Sequence, residues 1–268
     1  MGFEITGDFM NLSLTGLNAL VCGASQGIGR ATAVELSNMG AQVCALARSE
    51  DKLQKLMGDL SGEGHSYLAL DVSDRDRLKV QVEQEIQKRS GIHILICNSG
   101  GPKGGPLVSA EESEFLKAFE NHILVNSLLA KLVFKGMKQK EYGRIINIIS
   151  TSVKAPIPNL GVSNSIRGAV ANWAKTLSFE FAPFNITVNN VLPGFTETPR
   201  LSNLWISAAD KQKRSLDDVT AEWKNKVPLK RFARAEEVAE AIGFLASPSA
   251  SYINGINLPV DGGRTASL

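Results

Sequence analysis

Gly23-Ala-Ser-Gln-Gly27-Ile-Gly29 follows an apolar strand-like run, LNALVCG, and opens a segment of helical period, IGRATAVELSNM. Glycine suits a backbone that must turn sharply and approach a pyrophosphate closely. The helix N-terminus behind it offers free N–H groups and a positive dipole end. Gly23, Ser25, Gln26, Gly27, Ile28 and Gly29 are therefore the candidate phosphate cradle. Set between a strand and a helix near the start of an alternating chain, the cluster predicts a dinucleotide site. The end of the second strand-like run, ALAR, refines that expectation. An acidic residue there would hold the ribose diol of NAD, but the chain has Ala47 and Arg48. A guanidinium suits a 2′-phosphate through charge-assisted contacts, so the expected cofactor is NADP(H). The bland alternative makes Arg48 a solvated residue leading into a helix.

The elements that must position these residues are legible as alternation. LNALVCG, AQVCALA, SYLALDV, IHILICN, GRIINIIS, NITVNNVL and GINLPV are short, rich in Val, Ile and Leu, and lack a polar face. That pattern fits strands covered by helices on both sides. Between them run IGRATAVELSNM, EDKLQKLMGDL, RDRLKVQVEQEIQK, a long segment from Ser109 to Lys140, SNSIRGAVANWAKTLSFEF and AEEVAEAIGFLA, all of helical period. Ser109 with Glu112 reads as a capping box for the long helix. Gly40, Gly91 and Gly143 stand at helix-to-strand junctions that favour a left-handed cap. The expected fold is α/β, a doubly wound parallel sheet in one domain spanning 1–268. Residues 199–226 interrupt the alternation with Leu201, Leu204, Trp205 and Trp223 among many charges. They read as a helical flap over substrate, or else as a surface hairpin serving stability or oligomer contacts.

Bulk properties narrow the function classes. The chain has 268 residues, 43% hydrophobic and 21% charged, with a net charge of +2. These values suit an ordinary globular domain and give no electrostatic footprint for nucleic acid. No apolar run reaches membrane-spanning length. The opening MGFEITGDFMNLSL lacks a basic start followed by an apolar stretch, so it reads as a short disordered lead-in and not a secretory signal. Cys22, Cys44 and Cys97 each fall within a strand-like run and form no C-x-x-C pair, which points to buried thiols and a cytoplasmic setting. His65, His93 and His122 are scattered, and no metal site is expected.

The chain resembles the short-chain dehydrogenase/reductase family over nearly its whole length. The glycine spacing G-x-x-x-G-x-G is that family's, with Cys22 where the family has threonine. Leu70-Asp71-Val72 is similar to its acidic motif after the third strand, in which the Asp contacts adenine. Cys97-Asn98-Ser99-Gly100 stands where the family has N-N-A-G, along the adenine ribose. Pro193-Gly194-Phe195-Thr196-Glu197-Thr198 resembles P-G-x-x-x-T, which holds the nicotinamide carboxamide and pyrophosphate, and Val260-Asp261-Gly262-Gly263 matches the closing strand. The resemblance implies that Asp71, Val72, Asn98, Ser99, Gly100, Pro193, Gly194, Thr196 and Thr198 line the cofactor. It also implies a homo-oligomer, dimer or tetramer, in which the helix from Ser109 and the helix from Asn164 meet a partner.

The family's chemistry passes hydride between nicotinamide and a carbonyl or alcohol carbon while a tyrosine shuttles the proton. A lysine one helical turn on lowers the phenol pKa, a serine polarises the oxygen, and an asparagine holds a relay water. Carried over by position, Ser150 fills the serine role. The tyrosine position falls on Ser163, the lysine position on Arg167, and the asparagine position on His122, flanked by Asn121 and Asn126. A serine hydroxyl is a poor proton donor, and an arginine stays protonated. Loss of general acid–base help costs about 10²–10⁴ in rate. Two substitutes are on offer. Lys154 lies in the proline-stiffened loop KAPIPN, and His122 has an ordinary pKa near neutrality. The S-V-K-x-P-I-P loop and S-N-x-x-R helix resemble an offshoot labelled 3-oxoacyl-acyl-carrier-protein reductase-like. The resemblance thus implies an NADP(H)-dependent oxidoreductase acting on a small carbonyl/alcohol substrate, an acyl group among the candidates, with an altered proton donor. The alternative is a nucleotide-binding sensor, scaffold or partner subunit with impaired catalysis.

Overall fold

The seven apolar runs become β1 (Asn18–Cys22), β2 (Gln42–Ala47), β3 (Ser66–Ala69), β4 (Ile94–Cys97), β5 (Gly143–Ile148), β6 (Ile186–Pro193) and β7 (Asn257–Val260). This computed structural model describes residues 10–267. The strands form one parallel sheet in the order β3-β2-β1-β4-β5-β6-β7. The order reverses between β1 and β4, and a doubly wound sheet opens its binding crevice there, beyond the carboxyl ends of the strands.

Helices cover both faces, which is why the central strands carry no polar side. Leu36 of α1 (Gly27–Asn38), Leu53 of α2 (Glu50–Met57) and Ile242 of α9 (Ala235–Ala246) join one core with Val21, Val43 and Ile96. On the other face, Leu78 of α3 (Arg75–Arg89), Val133 of α5 (Val125–Lys140) and Ala174 of α6 (Gly161–Phe181) pack on Leu20, Leu95 and Val188. Cys22, Cys44 and Cys97 are free and buried. Burial pushes the thiols of Cys22 and Cys44 up to about 12, as expected of core groups.

Buried polar groups fix the register. Asn126 Nδ2 donates to Asn147 Oδ1, Asn147 Nδ2 to Asn190 Oδ1, and Asn190 Nδ2 to Asn257 Oδ1, at 3.3, 2.9 and 2.8 Å. This chain of amides crosses from α5 through β5 and β6 to β7, so a slipped strand would leave buried donors unpaired. His65 and His93 are structural acceptors, taking the N–H of Val43 at 3.0 Å and of Asn18 at 3.1 Å.

Three sequence expectations need correction. The segment from Ser109 to Lys140 is not one helix from a Ser109–Glu112 box. α4 (Glu112–Phe119) starts after Glu111, whose N–H donates to Glu114 Oε2 at 3.1 Å, while the Ser109 hydroxyl donates back to the Pro106 carbonyl. A π-helical turn, Glu120–Leu124, then separates α4 from α5. Gly40 (φ 96°) and Gly91 (φ 128°) are left-handed, but at the third junction Glu141 takes that conformation (φ 52°). Gly143 is instead required by space, since a Cβ there would lie 2.7 Å from Ile186 Cγ1. The lead-in lies outside the described residues over 1–9, and its end is ordered: Leu14 is fully buried and donates from its N–H to Met39 O at 2.7 Å.

Candidate active site

At the switch point the end of β1 and the end of β4 lock together. Asn98 Nδ2 donates to Gly23 O at 3.4 Å, and Gly23 (φ 64°) has no room for a Cβ, which would meet Asn98 O at 2.7 Å. A Cβ on Gly29 would fall 2.2 Å from Gly23 O, so α1 can start this close only because Gly29 has no side chain. Gln26, at the N-cap of α1, supplies no side-chain cap, and the first turn holds no acidic residue. Its side chain accepts instead from Lys52 Nζ at 3.1 Å. The uncapped amides and positive helix end suit a phosphate group. Gly23, Ser25, Gln26, Gly27 and Ile28 line a cleft of 660 Å³ together with Arg48, Asp71, Val72, Asn98, Ser99, Gly100 and Thr198.

Arg48, at the end of β2, stands over the far side of this cleft with its side chain 80% exposed and Nη1 3.7 Å from Asp71 Oδ2. An exposed pair at that distance holds the guanidinium only weakly. Asp71 accepts the Ser73 N–H at 3.0 Å, and that bond is the main force holding its carboxyl below the ordinary range, with Arg48 helping. The arrangement suits a phosphate at the rim. Of the other residues expected to hold cofactor, Pro193, Gly194 and Thr196 end β6 and its loop without lining the cleft. Gly194 is packed against Asp261, and the buried Thr196 hydroxyl donates to Gly194 O at 3.3 Å.

The π-helical turn aims His122 inward, where only 2% of it is exposed. Ser99 Oγ lies 2.7 Å from its Nδ1. Burial, then the guanidinium groups of Arg167 and Arg200, push the imidazole down to about 3. The expectation of a histidine titrating near neutrality is thus corrected: His122 is neutral at physiological pH because both its surroundings and its neighbours oppose a proton. Asn126 belongs to the buried amide chain, whereas Asn121 lines the cleft.

Ser163 and Arg167 are buried on one face of α6. Arg167 Nη1 donates to Ile148 O at 3.0 Å and Nη2 to Ser99 O at 3.5 Å, which ties the ends of β5 and β4 to α6. Among the described residues no carboxylate lies within 4.0 Å of it. Desolvation and the nearby Arg200 lower its guanidinium to about 10, still charged at neutral pH. Ser150 follows β5 and accepts the Ser152 N–H at 3.1 Å on Oγ, which leaves its own O–H to donate. Lys154 closes the short 3₁₀ turn that Ser150 begins and is half-buried. Ser150, Lys154 and Ser163 are not in the lining of the cleft. The tyrosines are all elsewhere. Tyr67 OH donates to Glu50 Oε1 at 3.2 Å, Tyr142 OH donates to Ala246 O, and Tyr252 is fully exposed.

A family model described as enoyl-(acyl carrier protein) reductase matches residues 23–265. The 3-oxoacyl-acyl-carrier-protein reductase FabG of Vibrio cholerae is 34% identical over 94% of this chain and 98% of that protein. The chain belongs to the short-chain dehydrogenase/reductase family. Among solved members, L-sorbose reductase from Gluconobacter frateurii, complexed with NADPH and L-sorbose, superposes with a TM-score of 0.91. It is 28% identical and covers 97% of this chain and 100% of that one. YwfH, an NADPH-dependent reductase involved in bacilysin biosynthesis, gives 0.88 at 30% identity over 94% and 99%. Among the described residues no helix is long and apolar enough to cross a membrane.

In this member of the family the interruption after β6 folds as α7 (Pro199–Gln212) and α8 (Leu216–Asn225). Trp205 stacks on Phe232 at 4.8 Å and Trp223 on Phe195 at 5.0 Å, so an aromatic cluster anchors both helices to the end of β6. Several residues of the site went unnoticed in the sequence. Arg200, Lys52 and Lys117 line the cleft, and Arg264 lies 4.2 Å over the Phe195 ring and donates to Thr151 Oγ1 at 3.4 Å. Only Arg200 carried a signal, two residues beyond Thr198 at the start of a proline-led helix.

Proposed function

We propose that this chain is an NADP(H)-dependent oxidoreductase acting on a carbonyl/alcohol pair, like the 3-oxoacyl carrier-protein reductases it resembles, with an altered proton donor. The observation that carries the reading is Ser150: it follows β5, whose end Arg167 joins to the cleft-lining Ser99, with its oxygen engaged by Ser152 and its O–H left to donate. The cradle from Gly23 to Gly29 would hold the pyrophosphate, Asp71, Val72, Asn98, Ser99 and Gly100 the adenosine side, and Pro193, Gly194, Thr196 and Thr198 the nicotinamide side. Arg48 would hold the 2′-phosphate. Support for NADP(H) comes from Arg48 and from the NADPH named with the sorbose reductase and with YwfH.

Held in this cleft, a reduced nicotinamide would supply the hydride for the carbonyl carbon. Ser150 donates to the carbonyl oxygen and stabilises the charge that develops on it. The resulting alkoxide needs one proton. Ser163 sits at the position aligned with the family's tyrosine and is too weak an acid to give it. Arg167 sits at the lysine position, stays charged, and holds the strand ends through two carbonyls. His122 is neutral and holds Ser99. Lys154, at the end of the turn that Ser150 begins, is the donor of this reading, since its ammonium is the nearest group in sequence to Ser150 that carries a transferable proton. The leucines and Trp205 of the flap of α7 and α8 suit an apolar or acyl substituent. Exposed Leu116 and Phe119 on α4 and Phe179 on α6 offer apolar surface for a homo-oligomer.

The positions of the tyrosines favour a second reading, an NADP(H)-binding sensor or partner subunit with little turnover. One assay separates the two. NADPH oxidation is followed over a panel of 3-oxoacyl thioesters, ketones and ketoses, in the wild type and in Lys154→Ala. The oxidoreductase reading expects turnover that falls about 10²-fold or more in the variant while NADPH affinity is kept. Tight NADPH binding with no turnover across the panel supports the sensor.

A further inference from the structure

Arg200 has no hydrogen-bond or ion-pair partner among the described residues, although it lines the same cleft as the glycine turn. Of the other cations at or near the cleft, Arg48 faces Asp71, Lys52 donates to Gln26 and Arg167 donates to backbone carbonyls, while Lys117 also lines it. Its guanidinium lies against Gly101, where a Cβ would fall 2.5 Å from Nη1, so the missing side chain at Gly101 makes the space it occupies. The helix that carries it is firmly set. Thr198 caps α7 by accepting the Leu201 N–H at 3.3 Å, Pro199 opens its first turn, Leu201 is buried, and Trp205 stacks on Phe232. Thr198 also packs over the glycine turn, since a Cβ on Gly27 would lie 3.0 Å from its Cγ2. The start of α7 therefore stands across the cleft from the start of α1.

We propose that Arg200 binds the phosphate bridge of the dinucleotide from the flap side, opposite the amides of α1, a role that rests on reading this cleft as a dinucleotide site. The planar fork of a guanidinium can take two phosphate oxygens at once. The charge of Arg200 also lowers the proton affinity of the buried Arg167, and among the described residues neither has a carboxylate within 4.0 Å, a repulsion that a bound dianion relieves. The flap becomes part of the cofactor site as well as a cover for substrate.

The test measures binding of NADPH, inorganic pyrophosphate and adenosine 2′-phosphate to the wild type, Arg200→Gln and Arg200→Lys by calorimetry at fixed ionic strength. Arg200→Gln is expected to weaken NADPH and pyrophosphate about tenfold or more, the worth of a charge-assisted contact, and to leave adenosine 2′-phosphate unchanged. Arg200→Lys should recover part of the loss. Equal NADPH and pyrophosphate affinities in the wild type and Arg200→Gln overturn the proposal. If the wild type binds neither NADPH nor adenosine 2′-phosphate, the dinucleotide reading fails. Pyrophosphate then decides alone: Arg200-dependent binding upholds a phosphate site, and no binding or Arg200-independent binding overturns it.

Discussion

The Arg167 guanidinium donates to the Ile148 carbonyl at 3.0 Å. A permanently charged side chain thus sits buried between α6 and the end of β5, two residues before Ser150. Arg167→Met removes the donor and leaves the Ile148 and Ser99 carbonyls unpaired, so urea denaturation should show a loss of about 1–3 kcal/mol. Turnover should also fall as Ser150 loses its fixed position. Because Arg167 stays charged and supplies no proton, the surviving activity should keep the wild-type pH profile. A shifted profile in this variant would make Arg167 part of the proton path.

His122 ties pH to stability. Its folded-state value, pushed down to about 3, lies below the ordinary 6.5, so the unfolded chain binds more protons between those two values. The contribution is complete above pH 6.5 and is lost as pH falls toward 3. The slope from this group approaches about 1.4 kcal/mol per pH unit. His93, also held low by burial, adds in the same sense. His122→Asn should flatten the acid limb of a stability–pH curve measured by chemical denaturation. An unchanged limb would mean that His122 is not buried neutral.

Arg48→Ala should weaken NADPH at least tenfold and leave NADH within about twofold, because the lost contact is to a group that only the phosphorylated cofactor carries. Fluorescence titration of both cofactors reads the ratio directly. Equal losses for the two would assign Arg48 to the fold or to the ribose instead.

Ser150→Ala tests oxygen polarisation. Removing one preorganised donor from a developing oxyanion costs about 10²–10³ in turnover. NADPH affinity should be kept, since Ser150 lies outside the lining of the dinucleotide cleft. A variant with wild-type turnover would move the oxygen site away from β5.

Each strand was legible in the sequence because burial on both faces leaves a short apolar run that no surface helix imitates. The glycine turn was legible for a related reason, since close backbone approach excludes side chains at Gly23 and Gly29. The π-helical turn at Glu120–Leu124 was not, as Ser109 to Lys140 keeps an uninterrupted helical period across it. Nor was the low proton affinity of His122, which depends on burial and on guanidinium groups from α6 and α7, distant in sequence. Arg200 and Arg264 escaped notice for the same cause: both are ordinary surface arginines by sequence, and only chain topology brings one to the cleft and the other to Thr151.

Calorimetric titration of the unmodified protein with NADPH and with NADH probes the heart of the account. Saturable one-to-one binding of NADPH, at least tenfold tighter than NADH, is the expected result. No measurable affinity for either cofactor would contradict it, because the cradle between Gly23 and Gly29, on which every proposed role depends, would then hold something else.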